Sequence, residues 1–380
     1  MSQTQRPPPP WFEVENLVEL DSPALLIYRD RLGANLRRMI DVAGRVDRLR
    51  PHIKTHKIAE VISIEIALGI TKFKCATIAE AELAADSGVT DLLLAYPLVG
   101  PNIQRLAAMA KARPGTRFST IADDAEVIRA LSHTLQAAES HCHSPGIEVL
   151  LDIDVGQHRT GVSDHSEAVR LYGLIASMPG LRPGGLHAYD GHISDSDLAA
   201  RTAACEAAFA PVAKLRHELL EMGLSVPRVV AGGTPTFPIH AQRGDVECSP
   251  GTCVFWDAGY ATKLPDLRFT PAALVLTRVV SKPGINRLCL DLGHKAIASE
   301  MPHPRVRFLN LPDARAVAHS EEHLTVETPR AAQRRIGDCL YGVPWHICPT
   351  VALYREAVVI QDGKAIGRWR IAARDRRLTF

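Results

Sequence analysis

No run of about 18 apolar residues occurs in this 380-residue chain, which excludes a membrane-spanning helix. Charge of either sign is not in excess: formal net charge is only +2, so no global field favours nucleic acid. Eight cysteines are scattered with no CxxC pair, which favours reduced thiols over a disulfide framework. The N-terminus, "MSQTQRPPPPWFEVEN", lacks a charged-then-apolar signal layout, and its proline run reads as an extended, partly disordered tail. A cytoplasmic enzyme is the expectation from those absences. No GxGxxG follows an early strand, which weighs against a dinucleotide-binding sheet, although an open doubly wound sheet stays among the alternatives.

Apolar residues make up 46% of the chain, ample for two packed domains. From residue 20 to about 250, short β-branched runs alternate with alanine- and leucine-rich helical runs. The strand-like pieces are "PALLIY" (23–28), "RLRPHIK" (48–54), "KFKCAT" (72–77), "DLLLAY" (91–96), "RFSTIA" (117–122), "IEVLLDID" (147–154), "GGLHAY" (184–189), "RVVAGGT" (228–234) and "DVECSPG" (245–251). Such βα units predict an α/β fold, a (β/α)8 TIM-type barrel, with one strand to spare. Beyond residue 270 the pattern is strands only, in "AALVLTRVVSK", "RLCLDLG", "HLTVET", "VALYREAVVIQ" and "AIGRWRIAA", with "QDGK" (361–364) as a hairpin turn. The expected organisation is a tail (1–20), a barrel (21–265) and a β-rich C-terminal domain (266–380).

Barrel chemistry gathers at the C-terminal strand ends. "RPHIKTHK" (50–57) ends a strand with five basic or imidazole side chains, Arg50, His52, Lys54, His56 and Lys57. A lysine there is an exposed charge or a reactive amine held among cations. "AGGTPTF" (231–237) is a turn able to converge backbone N–H groups and hydroxyls on an anion, or an ordinary strand-to-helix turn. Arg159, in "DIDVGQHRTGV", follows a barrel strand. In "PWHICPT" (344–350), His346 and Cys348 are two apart and on a strand would face one side, a pair suited to zinc or another borderline metal with positions open for water and substrate. A structural histidine beside a buried cysteine is the plain alternative. "HCHSPG" (141–146) reads as a surface turn.

Together these motifs resemble the D-threonine aldolase and D-serine dehydratase family, from "DSPALLIYRDRLGANLRRM" (21–39) to "HICPTVALY" (346–354). The resemblance implies the alanine racemase fold, pyridoxal phosphate and a divalent metal, and places "PALLIY" before the barrel proper. It implies Lys54 as the cofactor-binding lysine, Arg159 at the phenolic oxygen, Tyr189 near the pyridine ring, and Gly233 and Thr234 at the phosphate. His52, Gly251 and Thr252 complete the expected cofactor shell. His346 and Cys348 match the metal pair, with zinc favoured over manganese or magnesium by the thiolate. Two positions depart from the pattern: Cys348, where aldolases usually carry aspartate, and Cys253, where a tyrosine is common.

The implied reaction is lyase chemistry on a D-amino acid bearing a β-hydroxyl. Retro-aldol cleavage to glycine and an aldehyde leads, with a D-serine or D-threo-3-hydroxyaspartate dehydratase (2-oxo acid plus ammonia) as the alternative. A Lewis-acidic metal serves either outcome. Only dehydration needs a base at Cα, a role open to Lys54, while Asp190 and His192 are candidates at the β-oxygen. A non-catalytic cofactor carrier and a cofactor-free metal hydrolase are the remoter readings. A homodimer is expected, partly because the apolar segment 350–373 calls for a covering surface, with no nucleic acid or membrane partner.

Overall fold

A computed structural model describes residues 9–139 and 146–380. His141–Pro145 of the "HCHSPG" turn lie outside the described residues. The chain forms two compact units. One comprises the described residues up to Ala34 with 255–259 and 270–371; the other comprises those of 35–254 with 260–269 and 372–380.

The first elements are β1 (Ala24–Tyr28) and α1 (Arg29–Ala43). Then come α2 (Ala59–Ala67), β2 (Lys72–Cys75), α3 (Ile78–Asp86), β3 (Asp91–Leu94), α4 (Pro101–Ala112), β4 (Arg117–Ala122) and α5 (Ala125–Glu139). The alternation continues with β5 (Ile147–Ile153), α6 (His165–Ser177), β6 (Leu181–Ala188), α7 (Leu198–Glu221), β7 (Val229–Ala231), α8 (Phe237–His240), β8 (Val246–Cys248) and α9 (Ala258–Lys263). Strands β2 to β8 pair in parallel in chain order.

Residues 49–52 close this sheet into a barrel. Arg50 N donates to Cys248 O at 2.8 Å, His52 N to Pro250 O at 2.9 Å, and Lys74 N to Pro51 O at 2.9 Å. The expected strand over 48–54 therefore lies between β8 and β2, but as isolated parallel bridges at Leu49 and His52. Pro51 has no N–H to give to a ladder, and the chain turns at once into a 3₁₀ turn, Ile53–Thr55. Leu93, Ile121, Leu150 and Val230 fill the interior.

The N-terminal strand ends carry a charged ring. Arg50, fully buried, donates to Asp91 and Glu247, each at 2.7 Å. Lys72 pairs with Glu247 at 2.7 Å, Arg117 with Asp91, and Arg228 with Glu148.

The other unit is built from β9 (Ala273–Gly284), β10 (Arg287–Leu290), β11 (Val306–Phe308), β12 (Arg315–His319), β13 (Leu324–Glu327), β14 (Cys339–Pro344), α10 (Ile347–Leu353), β15 (Glu356–Gln361) and β16 (Lys364–Arg370). Its sheet runs β12-β13-β10-β9-β1-β15-β16, with β14 on β9 and β11 on β14. "PALLIY" is thus not a spare barrel strand: β1 runs parallel to β15 (Leu26 opposite Val358) and antiparallel to β9 (Leu25 opposite Val275). The boundary expected at residue 21 accordingly falls later, within α1. Leu26, Leu274, Leu276, Tyr341, Val358 and Ile360 form the core of this unit.

Three further readings change. From Trp11 onward the tail is packed: the Tyr28 hydroxyl donates to Phe12 O at 2.6 Å, and Arg31 lies 3.7 Å over the Trp11 ring. "VALY" closes a short helix rather than opening a strand. Part of the segment expected to need a partner surface is covered by its own sheet: Ala357–Ile360 are buried between β1 and β16, whereas Ile366 on β16 is exposed. The "QDGK" turn is as expected, with Asp362 and Gly363 both at positive φ (49° and 74°), as a type I′ hairpin requires. Among the described residues no helix is long and apolar enough to cross a membrane.

Candidate active site

The five basic side chains of "RPHIKTHK" separate once folded. Arg50 points into the charged ring. His52 and His56 are buried, and burial holds both neutral, His56 pushed down to about 3. Lys57 pairs with Glu80. Of the five, Lys54 reaches the C-terminal mouth with no ion-pair partner among the described residues, in the 3₁₀ turn where His52 Nδ1 accepts its backbone N–H at 3.3 Å. The cations expected from that motif come instead from elsewhere in the barrel.

Those cations surround Tyr189, the residue after β6. Lys54 Nζ lies 5.6 Å from its ring centroid, Lys74 Nζ 5.8 Å and the Arg159 guanidinium 5.0 Å. None of the three forms an ion pair among the described residues. Lys74 is 2% exposed, and burial together with the charge of Lys54 brings it down to about 7. Arg159 sits on the loop after β5, whose shape Asp154 sets by accepting from Gly156 N at 2.9 Å and His158 N at 3.0 Å. The Tyr189 ring fits because Gly191 and Gly233 bear no side chain: a Cβ on Gly191 would overlap the Tyr189 hydroxyl, and one on Gly233 would come within 3.0 Å of Cε2.

The glycine-threonine turn faces this group. Thr234 Oγ1 accepts from Gly251 N and Thr252 N, both at 3.2 Å, so two backbone donors converge on one spot. Cys253 lies fully buried behind it, its thiol kept protonated by burial at about 12 and 3.9 Å from Thr234 Oγ1. On the other side, His187 Nδ1 donates to Asp152 at 2.6 Å, while its Nε2 is buried without a partner.

Asp190 is not free to act on a substrate oxygen. One carboxylate oxygen accepts from Thr236 at 2.7 Å and the other from His240 Nε2 at 2.8 Å, with Cys205 Sγ 3.4 Å from that nitrogen. Asp190, Cys205 and His240 bring ligand-type atoms within 4.8 Å of one another, close enough for one cation, and here they hydrogen-bond among themselves. The network pins the end of β6 to the glycine-threonine turn. His192 is exposed and lines a pocket of about 550 Å³ with Val155, Ile193, Ser194 and Asp195.

In the β-rich unit, His346 and Cys348 are adjacent for a different reason than strand alternation. β14 ends at Pro344, His346 precedes α10, and Cys348 lies in its first turn. Thr350 Oγ1 donates to His346 O at 2.8 Å, and Asp257 accepts the first free helix N–H, from Ile347, at 3.1 Å. His346 Nδ1 donates to Glu300 at 2.5 Å. Burial would lower this imidazole, but Cys348, Glu300 and Asp257 outweigh it and push it up to about 9. An imidazole, a thiol and two carboxylates thus gather where a borderline divalent ion is well served. Glu300 carried no signal in the sequence. Asp257, four residues after Cys253, had no assigned role, and neither had Lys74, one of two lysines in the strand-like "KFKCAT".

Residues 27–258 match the family model for the alanine racemase N-terminal domain, and 272–360 match a putative serine dehydratase domain. The chain belongs to the alanine racemase N-terminal domain family. Within it, the chain is 31% identical to D-threonine aldolase of Arthrobacter sp. over 97% of this chain and 96% of that one. The solved structure of D-threonine aldolase from Filomicrobium marinum superposes with a TM-score of 0.87 at 30% identity, covering 94% of this chain and 96% of the other. D-threo-3-hydroxyaspartate dehydratase from Delftia sp. HT23 follows at 0.79 and 25%, covering 93% and 98%. The resemblance seen in "RPHIKTHK" and "HICPT" therefore extends over both units.

Proposed function

We propose that the protein is a pyridoxal phosphate- and divalent metal-dependent lyase that cleaves D-β-hydroxy amino acids, D-threonine among them, to glycine and an aldehyde. The observation that carries this reading is Lys54, an amine with no ion-pair partner among the described residues, at the mouth where Thr234 of the glycine-threonine turn gathers the N–H groups of Gly251 and Thr252, with the further cations Lys74 and Arg159 around one tyrosine ring. That arrangement fits an anionic aromatic aldehyde. His187 Nε2 awaits a polar partner, and Gly251 allows close approach where a Cβ would lie 3.2 Å from His52 O. Lys54 would hold pyridoxal phosphate covalently; Gly233, Thr234, Gly251 and Thr252 would hold its phosphate, and Arg159, Tyr189 and His52 its ring. When bound, the cofactor supplies the electron sink that stabilises charge at Cα.

The chain's own groups divide the remaining work. Lys54 acts as a nucleophile only when uncharged. His52 and His187, held neutral by burial, add no competing charge. Asp190 positions Tyr189 through its network, leaving the exposed His192 as the candidate to accept the β-hydroxyl proton. His346 and Cys348, with Glu300 and Asp257 nearby, would hold the divalent ion, whose Lewis acidity lowers the pKa of a hydroxyl. Zinc is the proposed metal, because a thiolate ligand is soft.

The dehydratase reading is favoured by one feature, the thiol at Cys348 in place of a carboxylate. Incubation with D-threonine, D-serine and D-threo-3-hydroxyaspartate, assaying aldehyde, glycine and 2-oxo acid separately, decides between them. Glycine and aldehyde in equal amounts are expected, and 2-oxo acid as the main product would replace the aldolase reading. Chelation should remove activity and zinc restore it, with Cys348→Asp shifting activation toward manganese. We also propose a cytoplasmic homodimer; Ile366 on the edge strand β16 and Ile285 are the exposed apolar groups that support it. Sedimentation of a fully active monomer would exclude the dimer.

A further inference from the structure

Arg305, just before β11, is held by groups that leave its charge uncancelled. Its Nε donates to Met301 O at 2.9 Å. Both N–H groups of Nη1 go to imidazoles, to His294 Nδ1 at 3.3 Å and to His319 Nδ1 at 2.9 Å. A guanidinium has no acceptor atom, so both rings carry their proton on Nε2, and His319 donates it to Leu292 O at 3.0 Å. The two ring centroids are 4.1 Å apart, and the exposed His303 ring lies 5.7 Å from that of His319. Burial and the surrounding positive groups push His319 down to about 4 and lower His303 as well. The acids packed around this cluster are engaged elsewhere: Glu321 and Glu322 by Lys295 at 2.9 and 2.8 Å, and Glu300 by His346 at 2.5 Å. Among the described residues no carboxylate pairs with Arg305, and its Nη2 has no partner. A carboxylate would fix the guanidinium equally well and cancel its charge. Neutral imidazoles and a carbonyl fix it and leave the Nη2 edge for an anion.

Hydrogen bonds tie this receptor to the proposed metal pair from two sides. Trp345, next to His346, donates its backbone N–H to Arg305 O at 2.8 Å. Met301, whose carbonyl takes the guanidinium, follows Glu300, the carboxylate on His346. We propose that Arg305, braced by His294 and His319, is a specificity-determining residue that receives a carboxylate carried on the β-carbon of the substrate. The preferred substrates are then β-hydroxy amino acids with an acidic side chain. D-threonine, with a methyl group at that position, lacks the contact. This inference deepens the function proposed above and rests on it, because a β-oxygen held at His346 and Cys348 is what brings the β-substituent toward Arg305.

Two measurements on the full-length chain, loaded with cofactor and metal, test it. In the first, sodium malonate, a dicarboxylate without an amino group, is titrated in by calorimetry at fixed ionic strength. Malonate should bind the wild type, and its affinity should fall about 30-fold in Arg305→Met. The loss should be smaller in Arg305→Lys, which keeps the charge without the planar fork. Equal binding by wild type and Arg305→Met overturns the receptor, and so does no binding to the wild type. In the second, kcat/KM is measured for D-threo-3-hydroxyaspartate and for D-threonine. The ratio of the first to the second should fall about 30-fold in Arg305→Met, and malonate should compete with both substrates. An unchanged ratio overturns the specificity role. Malonate that binds through Arg305 without competing would assign the receptor to a free acid and overturn its assignment to the substrate. Arg305→Gln serves the same comparisons should the methionine variant not fold. If neither amino acid is cleaved, the function reading fails, while the malonate titration still decides whether Arg305 is an anion receptor.

Discussion

At the N-terminal mouth of the barrel, Arg50, Lys72, Arg117 and Arg228 each meet a carboxylate of Asp91, Glu247 or Glu148. At the C-terminal mouth, Lys54, Lys74 and Arg159 meet none among the described residues. The same side-chain chemistry thus does two jobs at opposite ends of the same strands. A matched charge fixes register and closes the barrel; an unmatched one selects an anion and depresses a neighbouring amine. If that distinction is right, substitutions at one end should change stability with chemistry spared, and substitutions at the other should do the reverse.

The largest effect belongs to Lys54. Lys54→Ala should lower kcat/KM by about 10⁴-fold or more and leave no lysine-linked cofactor after borohydride reduction. Its unfolding free energy should stay within about 0.5 kcal/mol of wild type, because the side chain has no partner to lose. A large loss of stability would mean that the two mouths are less distinct than their ion pairs suggest.

Arg50→Met makes the opposite cut. Removing a fully buried guanidinium leaves Asp91 and Glu247 with only the more exposed Arg117 and Lys72, which should cost about 3 kcal/mol in denaturant unfolding, with turnover per folded molecule unchanged. Acid should weaken the same ring without mutation. Burial alone would raise Asp91, but Arg50 and Arg117 outweigh it and hold it at about 2, below its ordinary value of 3.8. A depressed carboxylate stabilises the fold above its unfolded pKa and loses that contribution as pH falls through the folded one. About 2 kcal/mol should therefore disappear between about pH 4 and 2, with Glu247, also lowered, acting in the same direction. In Arg50→Met this acid-dependent part should shrink to what Arg117 alone sustains.

Gly191→Ala tests the C-terminal mouth without touching a charge. The added methyl would overlap the Tyr189 hydroxyl, so the ring must leave the position where three cations face it. Cofactor affinity, measured by equilibrium titration of the visible band, should weaken about 10- to 100-fold, the scale of an overpacking cost of about 1–3 kcal/mol. Unfolding midpoints should move little, since Gly191 lies on a partly exposed loop.

The comparison also shows what could be read from the sequence and what could not. Lys54 was legible because a lysine ends a strand-like run just before a helical one, and the glycine-threonine turn because glycine and hydroxyl residues follow another strand. The fate of the other cations in "RPHIKTHK" was not, because their partners are remote: Asp91 is 41 residues from Arg50 and Glu247 is 197. The eighth barrel strand was placed correctly although Pro51 reduces it to bridges. "VALY" was misassigned because its β-branched and aromatic residues suit a strand, while the helix is set by its first turn, where Thr350 donates to His346 O and Ile347 donates to Asp257. The placement of β1 beside β9 and β15 is long-range pairing that no local pattern carries.

The smallest predicted effect is the most direct control. Lys72 and Lys74 are two residues apart on β2 and so share a face of the strand, yet Lys72 belongs to the charged ring and Lys74 to the site. Lys72 donates to Glu247 and to Asp47 O at 2.8 Å, and its side chain is 26% exposed, so water already screens much of the pair. Lys72→Met should therefore cost no more than about 1 kcal/mol, since Arg50 still satisfies Glu247. It should leave cofactor affinity unchanged, although it removes the same charge from the same strand as Lys74→Met. If Lys72→Met weakened cofactor binding as much as Lys74→Met, long-range charge rather than the position of Lys74 at the Tyr189 ring would control the site. Equal cofactor affinity in Lys72→Met and wild type, with about a tenfold loss in Lys74→Met, would place the effect at the C-terminal mouth alone.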